Sequence, residues 1–156
     1  MPGSMHTYLS PEDFVDLLDV PMLAPPGTRF AYNNGGFVLL GLIAQRASGT
    51  RYQDLVRERV LRPAGLRHTD FLRSDELPGT AALGYLYPDG LRTNIFHLPI
   101  EGSGDGGAYT TVGDARRFWL ALSAGAIVPL DLVEQMTTPS SPHDPEWPYG
   151  LGLWLP

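Results

Sequence analysis

Apolar positions along this chain fall into short helical runs separated by proline- and glycine-rich connectors. Ser10-Pro11-Glu12-Asp13 sets an N-cap, a proline at the first helical position and two acids in the first turn. Phe14, Leu17 and Leu18 form the apolar stripe of the helix this predicts. Pro21, Pro25 and Pro26 stop that helix and predict an extended connector into Thr28-Arg29-Phe30-Ala31. From Gly35 to Ala47 apolar residues stand on nearly every side, no charge precedes Arg46, and Gly49 sits where a C′ glycine would. The pattern predicts a central, buried helix. Thr50 and Gln53 have capping-box spacing for a second helix, which runs through Tyr52, Leu55, Val56 and Val60 to Pro63. Two helices joined at Ser48-Gly49 make a tight hairpin.

Beyond Pro78 the period changes. Tyr85-Leu86-Tyr87 before Pro88-Asp89-Gly90, with Leu91 to Ile95 after it, predicts a short β excursion within residues 78–98. Gly102 to Gly107 is a glycine-rich loop, followed by Thr111 and Asp114 as a capping box for a helix through Phe118, Trp119, Leu120 and Leu122. One more helix, Leu130 to Met136, precedes a proline-rich loop ending in Tyr149-Gly150-Leu151-Gly152-Leu153-Trp154. The chain carries no internal repeat.

Length and composition limit what these elements can build. With 156 residues, 43% of them hydrophobic, the chain suffices for one domain with one core. Residues 1–6 read as a linker or a cloning scar, and residues 7–156 as a single helix-rich unit. Gly 18 and Pro 15 imply much irregular structure without reaching a disordered composition. A net charge of −6 argues against nucleic acid as partner, because a phosphate backbone is bound by clustered Lys and Arg. All 11 basic residues are Arg, so mechanisms needing a lysine amine are excluded for this chain: a P-loop lysine, a Schiff base, a lysine general base. With Cys 0, a disulfide framework and a thiolate nucleophile are excluded, and the compartment stays open. The longest apolar run, Phe37 to Ala44, falls far short of the ~20 residues that span a bilayer, so the chain reads as soluble with no membrane span.

Candidate chemistry starts at Tyr32-Asn33-Asn34. By itself, two Asn followed by Gly35-Gly36 is turn chemistry before a helix N-terminus. In an extended segment, however, residues two apart point to one side, so a phenol and a carboxamide can reach one cleft together. Gly102-x-Gly104-x-x-Gly107 spells the dinucleotide fingerprint but follows a poor strand, Leu98-Pro99-Ile100, and is separated from its helix by Thr110-Thr111; it reads as a loop whose glycines pass close beside a cleft. No serine lies in a Gly-x-Ser-x-Gly elbow. His6, His68, His97 and His143 are scattered, none paired at i, i+4, so neither a metal site nor a cofactor is implied. The tryptophans and tyrosines could line a groove, but aromatics at helical spacing are more often core.

The wider context gives the Tyr-x-Asn its weight. Pro26-Gly27-Thr28-Arg29-Phe30-Ala31-Tyr32-Asn33-Asn34-Gly35-Gly36-Phe37 and the helix after it resemble the Tyr-x-Asn segment of the serine β-lactamase and penicillin-binding-protein-like family. Ser48-Gly49-Thr50-x-Tyr52, then Arg62-Pro63-Ala64-Gly65-Leu66-x-x-Thr69, resemble that family's next helix and its Pro-Leu-Gly-Met turn. Gly106-Gly107-Ala108-Tyr109-Thr110-Thr111-x-x-Asp114 resembles its Gly-Gly-x-x-Ser-Thr-x-x-Asp loop, and Tyr149 to Trp154 the strand leading to its last motif. The resemblance runs in order over residues 7–154 and implies an α+β chain: a helix-rich fragment of the β-lactamase/transpeptidase-like fold with most of the central sheet missing.

The resemblance also assigns roles. It implies that Tyr32 is the proton shuttle and Asn34 the substrate-orienting amide of an acyl-serine hydrolase, acting in the intact enzyme on a small-molecule or peptide substrate: a β-lactam, a D-Ala peptide or an ester. Ser-x-x-Lys needs a lysine, which this chain lacks, and no His is followed two positions later by Gly, so the Lys-Thr-Gly or His-x-Gly motif is absent too. A phenol with an ordinary pKa near ~10 needs a cation beside it to act as a base, and Arg29 does not replace the ammonium at the nucleophile. The expectation is a segment inactive by itself, with apolar surface that favours self-association or pairing with the missing half. The alternative is a non-catalytic ligand-binding or regulatory module on the same scaffold.

Overall fold

An asparagine and a glycine set the limits of the helix around which the other elements are arranged. The computed structural model describes residues 11–15, 21–22, 24–88, 90–140 and 148–155. Helix α1 spans Pro11–Val15; Ser10, Leu17 and Leu18, on which part of its expected pattern rests, lie outside the described residues, as do residues 1–6. Helix α2 spans Asn34–Ser48. Its N-cap is Asn33, held extended at φ −148 and ψ 111, whose side chain accepts from the Gly36 N–H at 3.2 Å. It ends at Gly49, whose φ of 68 only glycine adopts freely and whose N–H donates to the Gln45 carbonyl at 2.9 Å.

The burial of α2 differs from the pattern's expectation. Gly35, Val38, Gly41 and Leu42 are buried, whereas Leu40 and Ile43 are 58% and 61% exposed. A helix that is apolar all round needs cover all round. Here α1 and α3 pack against α2, and the glycine-rich loop crosses one side of it.

Helix α3 spans Tyr52–Val56 and continues as wider π-helical turns over Arg57–Leu61, closed by Arg62 N–H donating to the Arg57 carbonyl at 3.0 Å. The Thr50–Gln53 capping box does not form. The N-cap is Arg51, without a side-chain cap bond; the Gln45 side chain accepts from Tyr52 N–H, and the buried Gln53 amide donates to the Gly102 carbonyl at 2.9 Å. Gln53 thus secures the glycine-rich loop rather than its own helix. Arg57 bonds Asp54 and Asp70, both at 2.6 Å, and so ties α3 to the segment that follows it.

Helix α4 spans Val112–Ser123 and α5 spans Leu130–Met136, packed together. Thr111 caps α4 as its spacing predicts, accepting from Asp114 N–H at 3.2 Å. The Asp114 carboxylate, fully enclosed, does not reach back to complete a box. It accepts from His68 N–H at 2.7 Å, the Thr69 hydroxyl at 3.0 Å and the Arg117 guanidinium at 2.7 Å. Burial alone would raise its pKa, but those three donors outweigh burial and hold it below the ordinary carboxylate value. One carboxylate therefore fastens α4 to residues 68–69.

Among the described residues, β structure consists of isolated antiparallel bridges: Asp70 with Tyr109, Tyr85 with Thr93, Ser103 with Gly106, and Tyr149 with Trp154. The second is the expected β excursion, with Leu86 N–H donating to the Arg92 carbonyl at 3.0 Å. Among the described residues helices outweigh β structure, and the buried apolar side chains are Val38, Leu42, Leu61, Phe71 and Leu122.

Candidate active site

Tyr32 ends the extended segment that the prolines predict, and Asn34 is the first residue of α2, so the cap residue Asn33 separates them. Both are exposed, Tyr32 by 58%. The Tyr32 ring lies over Trp154, with centroids 6.2 Å apart and planes 23° apart. Trp154 in turn meets Phe30 edge-on at 5.6 Å and Tyr149 at 4.9 Å, and Phe30 meets Tyr149 at 5.2 Å. Such separations are those of favourable offset and edge-to-face aromatic pairs. Burial pushes the Tyr149 phenol above its ordinary pKa, and the charge of a nearby ionised Tyr32 adds to the effect.

A groove of ≈ 260 Å³ opens beside this cluster, lined by Phe30, Tyr32, Asn33, Phe37, Leu40 and Tyr149 among others. Tyr32 borders it; Asn34, at the helix start, is not among the lining residues. The glycine-rich loop reaches α2 one turn further along. A Cβ on Gly104 would lie 2.1 Å from the Phe37 carbonyl oxygen, so only glycine permits that approach. Gly106 and Gly107, at φ of 147 and 86, turn the chain away again. Among the described residues no group of three or more His, Cys, Asp or Glu could hold a metal ion, and no helix is long and apolar enough to cross a membrane.

The sequence pointed to Tyr32 and Asn34 and raised the tryptophans and tyrosines as possible groove lining, but favoured core for them; Tyr149 lines the groove, and Trp154, half exposed, stacks on Tyr32. Phe30 is a neighbour along the chain; Tyr149 and Trp154 are separated from it by most of the sequence, and no spacing rule links them to it.

A phenol and a carboxamide flank the N-terminal cap of α2, and the phenol borders an apolar groove. The chain belongs to the β-lactamase family, whose model matches residues 8–155. It is therefore a β-lactamase-like, penicillin-binding-protein-like member of a serine hydrolase family. Among solved structures it is similar to a penicillin-binding protein from Bacillus halodurans, with 37% identity and a TM-score of 0.91 over 98% of this chain and 48% of that one. It is also similar to the D-amino acid amidase of Ochrobactrum anthropi SV3, with 25% identity and a TM-score of 0.81 over 99% of this chain and 47% of that one. Two Bacillus subtilis (strain 168) proteins named as penicillin-binding proteins are 24% and 31% identical over 94% and 75% of this chain. The chain spans 37% and 30% of their lengths.

Proposed function

We propose that this chain is the segment of an acyl-serine hydrolase that contributes Tyr32 as proton shuttle and Asn34 as substrate-orienting amide, for hydrolysis of a β-lactam, a D-Ala peptide or an ester. The observation that carries the reading is the placement of Tyr32 at the groove, immediately before the capped helix that follows it, in a chain of this family. In the intact enzyme the phenol relays the proton between the nucleophile and the leaving group. This requires a neighbouring cation to stabilise the phenolate. The 156 residues contain no Lys, so both the ammonium and the Ser-x-x-Lys nucleophile come from elsewhere, and the chain alone forms no acyl-enzyme. The exposed face of α2, with Leu40 and Ile43, supports a pairing with the parts of the family fold that this chain does not span, or with a second copy.

Two measurements test this. Incubating the chain with an acylating β-lactam and weighing it intact is expected to show no adduct; a covalent adduct refutes the inactivity. In a protein carrying the remaining segments, Tyr32→Phe is expected to lower turnover by about 10²–10⁴-fold, the usual contribution of a positioned acid–base. Unchanged turnover removes Tyr32 from the site. The absence of Lys also favours a second reading, a ligand-binding or regulatory module that keeps the cleft without the chemistry. Saturable ligand binding without turnover, in a protein carrying the remaining segments, marks that case.

A further inference from the structure

We infer that Trp154 is a positioning residue for Tyr32: its indole face limits the rotation of the phenol ring and keeps the hydroxyl at the groove. The inference rests on the reading of Tyr32 as the site phenol, but its physical content is independent of catalysis. The segment before Tyr32 offers little to hold the ring. Residues 28–33 lie outside the helices, their side chains are largely exposed, and the Asn33 cap fixes the backbone but not the neighbouring side chain. The ring contact comes from the other end of the chain, where Trp154 stacks on Tyr32.

Trp154 is itself held firmly. Residues 148–155 form a narrow turn in which Gly150 N–H donates to the Leu153 carbonyl and Leu155 N–H to the Pro148 carbonyl, each at 2.8 Å. Gly152 closes it at a φ of 81, which favours glycine. The turn is docked on the end of α5, where Leu151 N–H donates to the Met136 carbonyl at 3.1 Å and Ser140 N–H to the Tyr149 carbonyl at 3.0 Å. A Cβ at Gly150 would lie 2.0 Å from that Met136 oxygen, so the turn and the helix end touch backbone to backbone. Phe30 and Tyr149 brace the indole edge-on. A half-exposed tryptophan with such support acts as a fixed wall against which the exposed Tyr32 phenol rests.

Aromatic pairs contribute about 0.5–1.5 kcal/mol beyond buried area, which corresponds to about a two- to tenfold bias towards the stacked ring. Nitration by tetranitromethane, followed by peptide mapping, reads the freedom of each tyrosine in the chain as it stands. With Trp154→Leu, which keeps bulk but removes the ring face, Tyr32 is expected to react about two- to tenfold faster, while Tyr85 and Tyr87 keep their rates. Trp154→Phe, which keeps a ring, is expected to restore most of the protection. Thermal unfolding of both variants separates local release from loss of fold. If Trp154→Leu unfolds the chain, the folded Trp154→Phe variant compared with Trp154→Ile, which has bulk but no ring, decides between ring stacking and bulk. A Tyr32 rate that moves no more than those of Tyr85 and Tyr87, or a Trp154→Phe variant indistinguishable from Trp154→Leu, overturns the inference. Neither result depends on turnover, so the failure of Tyr32→Phe to affect a reconstituted enzyme is a separate outcome.

Discussion

Gly104→Ala is the substitution whose effect can be worked most directly from the structure. The added methyl would sit 2.1 Å from the Phe37 carbonyl oxygen and 3.3 Å from the Gly41 Cα, both on α2. Even a close C···O approach is about 3.3–3.6 Å, so the loop must withdraw by roughly 1.2 Å or more. Withdrawal is not free, because Gly102, two residues earlier, accepts the buried Gln53 amide at 2.9 Å. Overpacking costs about 1–3 kcal/mol and weakening that hydrogen bond about 1 kcal/mol more, for a total of roughly 2–4 kcal/mol. For a chain of this size each kcal/mol shifts Tm by about 2–4 °C, so a fall of about 4–16 °C is expected. The matched control is Gly36→Ala, at a helical position where an added Cβ meets nothing within 4 Å. There alanine is expected to stabilise by about 0.5–1 kcal/mol through helix propensity. Thermal unfolding followed by far-UV circular dichroism compares the two. If Gly104→Ala melts within a degree or so of the parent, the loop is not seated on α2 as described and the argument fails.

Other expectations follow from single contacts. Gln53→Leu leaves the Gly102 carbonyl without its donor and is expected to cost about 1–3 kcal/mol, read as the shift in urea midpoint. Asp114 has a folded-state pKa below its unfolded value, so its stabilising contribution is full above about 3.9 and is lost as pH falls through the lower folded value. Asp114→Asn should therefore melt well below the parent at pH 7, and the gap should narrow on acidification below that value; a gap independent of pH contradicts the assignment. Leu40→Glu and Ile43→Glu place charges on the exposed face of α2 and are expected to leave the melting temperature of the isolated chain nearly unchanged while weakening self-association or pairing, measured by sedimentation velocity. Association that is indifferent to both changes would rule that face out.

The sequence by itself determined what is local or chemically absolute. The α2 boundaries follow from Asn33 and Gly49, the α4 cap from Thr111, and the β excursion from Pro88 and Gly90, because each is a backbone preference of a few adjacent residues. The absence of Lys and Cys is equally final, since no fold can supply an amine or a thiolate that the chain lacks. Tertiary structure decided what depends on distant partners. Thr50 and Gln53 have the spacing of a capping box, yet Gln53 turns to Gly102, because a buried carbonyl without a donor costs more than an uncapped helix start. Asp114 looks like half of a cap and instead fastens residues 68–69. The apolar run of α2 signals burial, but a helical pattern states only which faces seek cover, and which of them obtain it depends on the elements available to pack there. Trp154 reaches Tyr32 for the same reason: ring contacts between the two ends of a chain leave no periodicity to read and exist only once the intervening helices have brought those ends together.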